Sequence, residues 1–269
     1  MFVRKPAVAG YFYPSSPKEI LSEIKEFMPT LKGKEAYGAI CPHAGYVYSG
    51  SVAGAVYAQL KPKEVFILLG PNHTGYGKDV SIMPEGEWEI PLGKLSIHQE
   101  LAEKILKHCP FASSDIKAHL HEHSLEVQLP FIYYLNPNAK IVPITLKALS
   151  LDDSLSLAQS IGESLKESAL SEKAIIISST DMSHYLPDDL AKKVDALAIE
   201  KIKNFDPSGL YETVFTHQIS MCGVIPTVVM LFATKILGAT HVEIVKYTTS
   251  AEVNRDYERV VGYLGAIAL

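Results

Sequence analysis

Apolar and polar positions along the chain alternate between two patterns. Short and mostly apolar runs predict β-strands at residues 36–41, 64–69, 79–83, 94–97, 140–146, 174–178, 241–249 and 260–267. Apolar residues that recur every three or four positions predict helices at residues 16–28, 49–60, 100–108, 124–135, 151–168, 187–203, 206–216 and 223–237. Because buried strands alternate with helices of ten or more residues, we expect an α/β sandwich around a mostly parallel or mixed β-sheet.

Glycine and proline are scattered along the chain, and neither a repeat nor a low-complexity linker interrupts it. We therefore expect a single domain over residues 1–269. One proline, Pro130, falls inside a predicted helix and should kink or restart it.

Composition narrows the class of protein. Of the 269 residues, 47% are hydrophobic and 20% are charged, and the formal net charge is −5. An acidic chain without a basic cluster longer than a pair is not expected to bind nucleic acid or an anionic membrane surface. The chain opens without a signal-peptide pattern, and residues 224–233, its longest apolar stretch, are too few to span a bilayer, so we expect a cytoplasmic protein.

The cysteines stand far apart, at Cys41, Cys109 and Cys222. They form no CxxC motif and no disulfide framework. Cys222 is different from the other two because it opens an apolar helix, where the helix dipole favours the metal-binding thiolate. The alternative interpretation is a small buried hydrophobic residue, as most free cysteines are.

Three loops that follow predicted buried strands each carry one histidine. His43 lies in CPHAGYVYSG, His73 in GPNHTGYG and His184 in STDMSHY. A single loop histidine is most often a surface residue, but ligands of α/β proteins bind beyond the carboxyl ends of strands. We therefore expect the three to converge on one site. Tyrosines of the same loops, among them Tyr46 and Tyr48, could line a pocket there.

The segment HLHEHSLEVQ, residues 119–128, is dense in polar groups. If a helix begins here, Ser124 could cap it, and His123 and Glu126 would lie close together in its first turn. A histidine beside a carboxylate is typical of metal ligands and of catalytic bases. The alternative is a solvated loop, which we favour for His119 and His121. Glu122, His123, Glu126 and Tyr46 are therefore predicted to surround the site without binding the metal.

Taken together, the motifs RKPAVAGYFYP, PHAGYVYSG, GPNH, EHSLEVQLPF, DxxH at 181–184 and the late Cys-Gly resemble the Memo family, in the same order and over nearly the whole chain. Archaeal and bacterial members are usually described as Memo-like or AmmeMemoRadiSam system proteins. The family is similar in fold to the class III extradiol dioxygenases, which are non-haem iron enzymes.

The resemblance implies a metal site made by His43, His73 and Cys222. It also implies that His184, with Asp181 nearby, lies beside the metal where the dioxygenases keep an acid–base histidine. Those dioxygenases bind iron with two histidines and one carboxylate, whereas the third ligand here would be a thiolate. A thiolate shifts preference toward copper(I), zinc or iron and argues against ring cleavage.

Four functions fit these residues. The first is a redox protein that uses iron or copper to act on a small molecule or a protein. The second is a non-catalytic protein that holds a peptide or small ligand in the cleft. The third is a partner of a radical enzyme in a modification pathway, as the prokaryotic description of the family suggests. The fourth is a zinc hydrolase, because two histidines, a cysteine and an open position also suit catalytic zinc.

Overall fold

The computed structural model describes residues 2–269, which fold around one large β-sheet with helices against it. The strands of this region are β1 (Val3–Arg4), β2 (Gly38–Cys41), β3 (Val65–Pro71), β4 (Val80–Ile82), β5 (Glu87–Ile90), β6 (Gly93–Ile97), β7 (Ser113–Ser114), β8 (Lys140–Leu146), β9 (Ala174–Ser179), β10 (His184–Leu186), β11 (Val242–Thr249) and β12 (Val260–Ala268). The helices of this region are α1 (Pro17–Phe27), α2 (Tyr46–Tyr57), α3 (Gln99–His108), α4 (Leu129–Leu135), α5 (Leu151–Glu167), α6 (Asp188–Lys203), α7 (Pro207–Thr216), α8 (Val224–Leu237) and α9 (Ala251–Asn254).

The sheet is mixed, as the alternation of strands and helices predicts. Its path runs β1-β5-β6-β8-β3-β9-β2-β12-β10, with β11 paired to β12 and β4 paired to β8 and β7. Strands β8, β3, β9 and β2 at its centre are parallel neighbours, whereas β12 runs antiparallel to β2. The predicted α/β sandwich with a mixed sheet is confirmed.

Helices cover both faces of this sheet at close range. A side chain at Gly38 of β2 would collide with Met230 of α8, and one at Gly265 of β12 would collide with Val56 of α2. Gly38 pairs with Ala268, so it shares a face with every second residue of β12, and Gly265 falls on the other face. Helices α8 and α2 therefore pack on opposite sides. No helix within residues 2–269 is long and apolar enough to cross a membrane.

Helix boundaries differ from the predicted ones at two places that matter for the site. The helix predicted from residue 124 begins at Leu129, after a single 3₁₀ turn over Glu126–Gln128. Pro130 stands at its second position, where the missing N–H costs nothing. Helix α2 begins at Tyr46 rather than at residue 49, because Gly45 provides its N-cap.

The short strands β1 and β10 and the hairpin strand β5 were not predicted. Each is a two- to four-residue segment without the apolar pattern of a buried strand, and each lies toward an end of the sheet path. Their pairing depends on tertiary contacts rather than on local sequence.

The register of the central strands fixes where their loops begin. Cys41 at the end of β2 pairs with Ser179 at the end of β9, and Leu69 of β3 pairs with Ser178. The three strands are parallel neighbours, so their carboxyl ends lie side by side at one edge. The loops that carry His43 and His73, and the loop that leads to His184 at the start of β10, all leave from this edge.

Candidate metal centre

The side chains of His43, His73 and Cys222 converge at the carboxyl edge of the sheet. One potential ligand atom of each lies within 4.8 Å of the others. The Cys222 Sγ is 3.3 Å from the Nε2 of His43, and the rings of His43 and His73 are 5.2 Å apart. His43 is buried, while His73 is partly open to solvent. The structure thus brings together the three residues for which a metal site was predicted.

Close packing at Gly223 positions the neighbouring Cys222 beside His43. A Cβ at Gly223 would meet the Thr180 side chain and the Ser179 carbonyl at the end of β9. The Gly223 N–H donates to the Thr180 Oγ1 at 3.0 Å. The turn before α8 is therefore pressed against β9, and this places the sulfur of Cys222 beside His43.

A buried hydrogen-bond network selects the tautomer of His43. Its Nδ1 lies 3.0 Å from the Ser179 Oγ. That hydroxyl donates its own proton to the Ser124 carbonyl at 2.6 Å and also accepts from the Gln128 amide at 2.9 Å. Because the serine proton is already used, Nδ1 of His43 must be the donor. Its Nε2 lone pair then points toward the Cys222 sulfur.

His73 is oriented in the same way by Glu122. The Nδ1 of His73 donates to Glu122 Oε1 at 2.8 Å, and its backbone N–H donates to Oε2 at 2.6 Å. Burial raises the pKa of Glu122, but the hydrogen bond and charge of His73 and the backbone N–H of Ser124 outweigh it and lower the pKa to about 2. Glu122 is therefore an anion that leaves only Nε2 of His73 free.

A second set of potential ligands, His73, Glu122 and His123, also lies within 4.8 Å. Here the oxygens of Glu122 are already used: Oε1 accepts from His73 Nδ1 and from the backbone of His123 and Ser124. Glu122 thus orients His73 and is not free to bind a metal. The His123 ring stacks on that of His73 at 4.6 Å and lines the neighbouring cavity.

Asp181 and His184 lie at the same edge but are not bonded to each other. The Asp181 carboxylate accepts the backbone N–H of His43 at 2.9 Å. Burial raises its pKa to about 6, against the hydrogen bond from His43. His184 donates from Nδ1 to the Ser220 carbonyl at 2.9 Å, so this backbone group rather than Asp181 fixes its tautomer and leaves Nε2 free.

Burial shifts the pKa values of two candidate ligands in opposite directions. Burial, together with the charges of His123, His73 and His184, holds the pKa of His43 well below its usual value, so the imidazole is neutral. Burial and then the nearby Asp181 raise the pKa of the Cys222 thiol to about 12. Burial therefore acts against the thiolate that the helix dipole would favour at Cys222.

His43 and His73, but not Cys222, line a cavity of about 500 Å³. Its lining includes His43, His73, His123, Asp181 and His184, the aromatic side chains Phe12, Tyr48, Tyr185 and Tyr263, and Arg259. Tyr46 is absent from it, because its ring is buried and its hydroxyl donates to the Val127 carbonyl. The tyrosine of α2 that lines the cavity is Tyr48, two residues further along the helix.

Glu126 also lies away from the cavity. Its carboxylate forms a fully buried ion pair with Arg4 and accepts hydrogen bonds from the Tyr13 hydroxyl and from the backbone of Ala7 and Val8. The expected place of Glu126 beside the metal is corrected by these contacts, which anchor the N-terminal segment. Arg4 was not predicted, although the carboxylate inside the mostly apolar run SLEVQLP indicates a buried partner, which is either a cation or a set of hydrogen-bond donors.

His119 and His121 differ in environment. His119 is fully buried: its Nε2 donates to the Ser81 carbonyl at 3.1 Å, and its ring packs against Trp88. The solvated loop favoured for His119 is therefore wrong, while His121 is exposed.

Comparisons with known proteins agree over the whole length of the chain. The family profile described as "Memo-like protein" matches residues 4–267. A MEMO1 family protein of Aquifex aeolicus is 43% identical over 273 residues and covers 100% of both chains. MEMO1 family proteins of Pyrobaculum aerophilum and Methanocaldococcus jannaschii are 43% and 38% identical, each with 98% coverage of both chains.

Among solved structures, the uncharacterized protein JW3007 of Escherichia coli K12 is similar with a TM-score of 0.54 at 10% sequence identity. The match covers 86% of this chain and 98% of the other, and it supports the fold alone. The profile match and the full-length relatives show that this chain belongs to the Memo family.

Proposed function

We propose that this protein is a metal-dependent redox protein that holds iron or copper through His43, His73 and Cys222. The observation that carries the proposal is that both imidazoles are bound through Nδ1, by Ser179 and by Glu122. Both Nε2 atoms and the Cys222 sulfur are therefore left for a metal, and the two histidines line the cavity. Two imidazoles and a thiolate suit copper(I) and iron(II).

A bound transition metal would polarise a substrate oxygen or exchange electrons with the substrate. The surrounding side chains bind and orient the substrate. His184 lines the cavity with its Nε2 free, so it can accept a proton from a substrate hydroxyl and return it to the product. The rings of Phe12 and Tyr263 give the same space apolar walls.

A zinc hydrolase is the second candidate, and the same donor set supports it. Catalytic zinc is bound by three protein ligands and keeps its fourth position open, as a site of His43, His73 and Cys222 beside a cavity would. The free Nε2 of His184 could serve as the base that activates a water molecule. The identity of the metal separates this function from redox chemistry.

The experiment is anaerobic purification followed by elemental analysis of the wild type and of Cys222→Ser. We expect iron or copper at one ion per chain in the wild type and a large loss in the variant. Cys109→Ser is the matched control, because Cys109 is a buried cysteine that is not among the candidate ligands. Equal metal content in Cys222→Ser and the wild type would contradict the proposed site.

Activity is then measured as oxygen consumption with iron, copper or zinc restored, using catechols as the first substrates. Consumption with iron or copper that His184→Ala abolishes supports the redox function. Hydrolysis of an ester or amide bond by the zinc form alone, dependent on His184, supports the hydrolase. If no metal supports any turnover, the redox proposal fails, and non-catalytic binding of a peptide or small ligand becomes the better account.

A further inference from the structure

One cationic side chain of the cavity lining, Arg259, takes part in none of the ion pairs within residues 2–269. Arg259 lines the cavity, and its guanidinium lies over the ring of Tyr185 at 5.3 Å. The chain's other arginines differ from it: Arg4 is buried against Glu126, and Arg255 does not line the cavity. A guanidinium that faces a cavity and has an aromatic ring as its neighbour retains its hydrogen-bond donors for a ligand.

Arg259 stands on the same wall as His184. Strand β10 pairs with β12, so His184 lies opposite Val261, two residues from Arg259. The Tyr185 ring bridges the two, 5.8 Å from the ring of His184 and beneath the guanidinium. The candidate ligands His43 and His73 come from the loops after β2 and β3 and form another part of the lining.

Tyr185 supports this arrangement at the cost of backbone strain. Its φ is 61°, a left-handed conformation that disfavours any residue with a Cβ. Strained residues of this kind persist where the surrounding structure fixes them, and they cluster at binding sites. The conformation presents the tyrosine ring to Arg259 next to the candidate acid–base histidine.

The charges around the cavity favour an anion. Asp181 is the acidic residue in its lining, and its carboxylate already accepts the His43 N–H. The other ionisable groups there are imidazoles, tyrosines and Arg259. A ligand with a negative group would meet a cation without displacing an existing ion pair.

We propose that the cavity binds a small aromatic carboxylate, with the carboxylate at Arg259 and the ring between the aromatic side chains of the lining. Guanidinium and carboxylate match each other as planar groups with two parallel hydrogen bonds. Phe12, Tyr48 and Tyr263 supply the apolar surface for the ring. The proposal rests on the proposed function, because it names the substrate class of the same cavity.

The test compares benzoate with benzamide, which has the same shape and no charge. Isothermal titration at fixed, low ionic strength gives both dissociation constants for zinc-loaded protein and for protein treated with a chelator. We expect the wild type to bind benzoate at least about tenfold more tightly than benzamide. Arg259→Gln should remove that preference, and Arg255→Gln, an exposed arginine four positions away, should retain it.

Two results would overturn the proposal: a wild type without preference for benzoate, or a preference that survives in Arg259→Gln. Metal content is measured on the same samples, so the two proposals fail separately. Loss of metal binding with an Arg259-dependent preference intact refutes the metal-dependent function and leaves the anion site. Normal metal content without the preference refutes the anion site alone.

Discussion

Glu122 holds His73 at two points, accepting the backbone N–H at 2.6 Å and the ring Nδ1–H at 2.8 Å. The contact fixes both the position of the loop after β3 and the rotation of the imidazole. Because Glu122 is fully buried and ionised, it also increases the basicity of the ring nitrogen that would bind a metal.

Replacing Glu122 by Gln should therefore weaken metal binding about tenfold to a hundredfold, as the loss of a partner that orients a ligand does. A glutamine offers one acceptor oxygen in place of two, so it cannot keep both contacts to His73. The measurement is competition for zinc with a chromophoric chelator.

Glu126→Gln is the matched comparison, four residues away. Glu126 faces Arg4 and Tyr13 rather than the cavity, so its loss should leave metal affinity unchanged. It should instead lower the free energy of unfolding by about 3–5 kcal/mol, because Arg4 remains buried without its charge partner. A drop in metal affinity equal to that of Glu122→Gln, in folded protein, would show that Glu126 does act on the metal.

The position of His43 and His73 at the carboxyl edge of the sheet could be predicted from the sequence. His43 and His73 follow strands whose apolar residues mark them as buried, and the carboxyl ends of parallel neighbours share one edge. The position of Cys222 depended on the family resemblance, because nothing in the local pattern shows that the turn before α8 packs on β9.

The partner of each histidine could not be predicted, for a physical reason. Pairing His123 with Glu126 assumed a regular helix from Ser124, whereas the chain makes one 3₁₀ turn first and the helix begins at Leu129. This change in helical phase directs Glu126 toward the N-terminal segment. Glu122 pairs instead with His73, a residue 49 positions earlier in the chain.

Replacing His184 by Ala should leave the metal content unchanged and abolish turnover. His184 lines the cavity, but it is not among the side chains whose ligand atoms converge. Elemental analysis and the oxygen-uptake or hydrolysis assay measure the two effects on one sample. His217→Ala, at an exposed histidine just after α7, is the control and should change neither. Loss of metal from His184→Ala would make His184 a ligand.

His119 should make the protein sensitive to acid. Burial and then the charge of Arg4 lower the pKa of His119 to about 3, whereas the unfolded chain protonates this side chain near 6.5. The unfolded state therefore binds the extra proton first, and stability falls as the pH drops from 6.5 toward 3. At pH 4.5 the loss of unfolding free energy should be on the order of 2–3 kcal/mol at most.

Urea unfolding between pH 7.5 and 4.5 measures this effect. His119→Gln keeps an N–H for the Ser81 carbonyl but cannot titrate, so its unfolding free energy should decrease less with acidification than that of the wild type. His121→Gln removes an exposed histidine two residues away and should follow the wild type. Identical pH profiles for His119→Gln and the wild type would show that His119 is not the acid-sensitive group.

Relieving the strain at Tyr185 should separate stability from ligand binding. Its left-handed backbone costs about 1–2 kcal/mol for a residue with a Cβ, and its side chain is 65% exposed, so little packing is lost on truncation. Tyr185→Gly should leave the unfolding free energy unchanged or raise it by up to about 1 kcal/mol, even though glycine also gains freedom in the unfolded chain. Tyr48→Gly, inside α2, should instead lower the unfolding free energy by about 1 kcal/mol.

In the same Tyr185→Gly protein, Arg259 loses the ring beneath it, so the preference for benzoate over benzamide should weaken severalfold. A marked loss of stability in Tyr185→Gly, measured by urea unfolding, would show that the tyrosine is retained for packing rather than for the cavity.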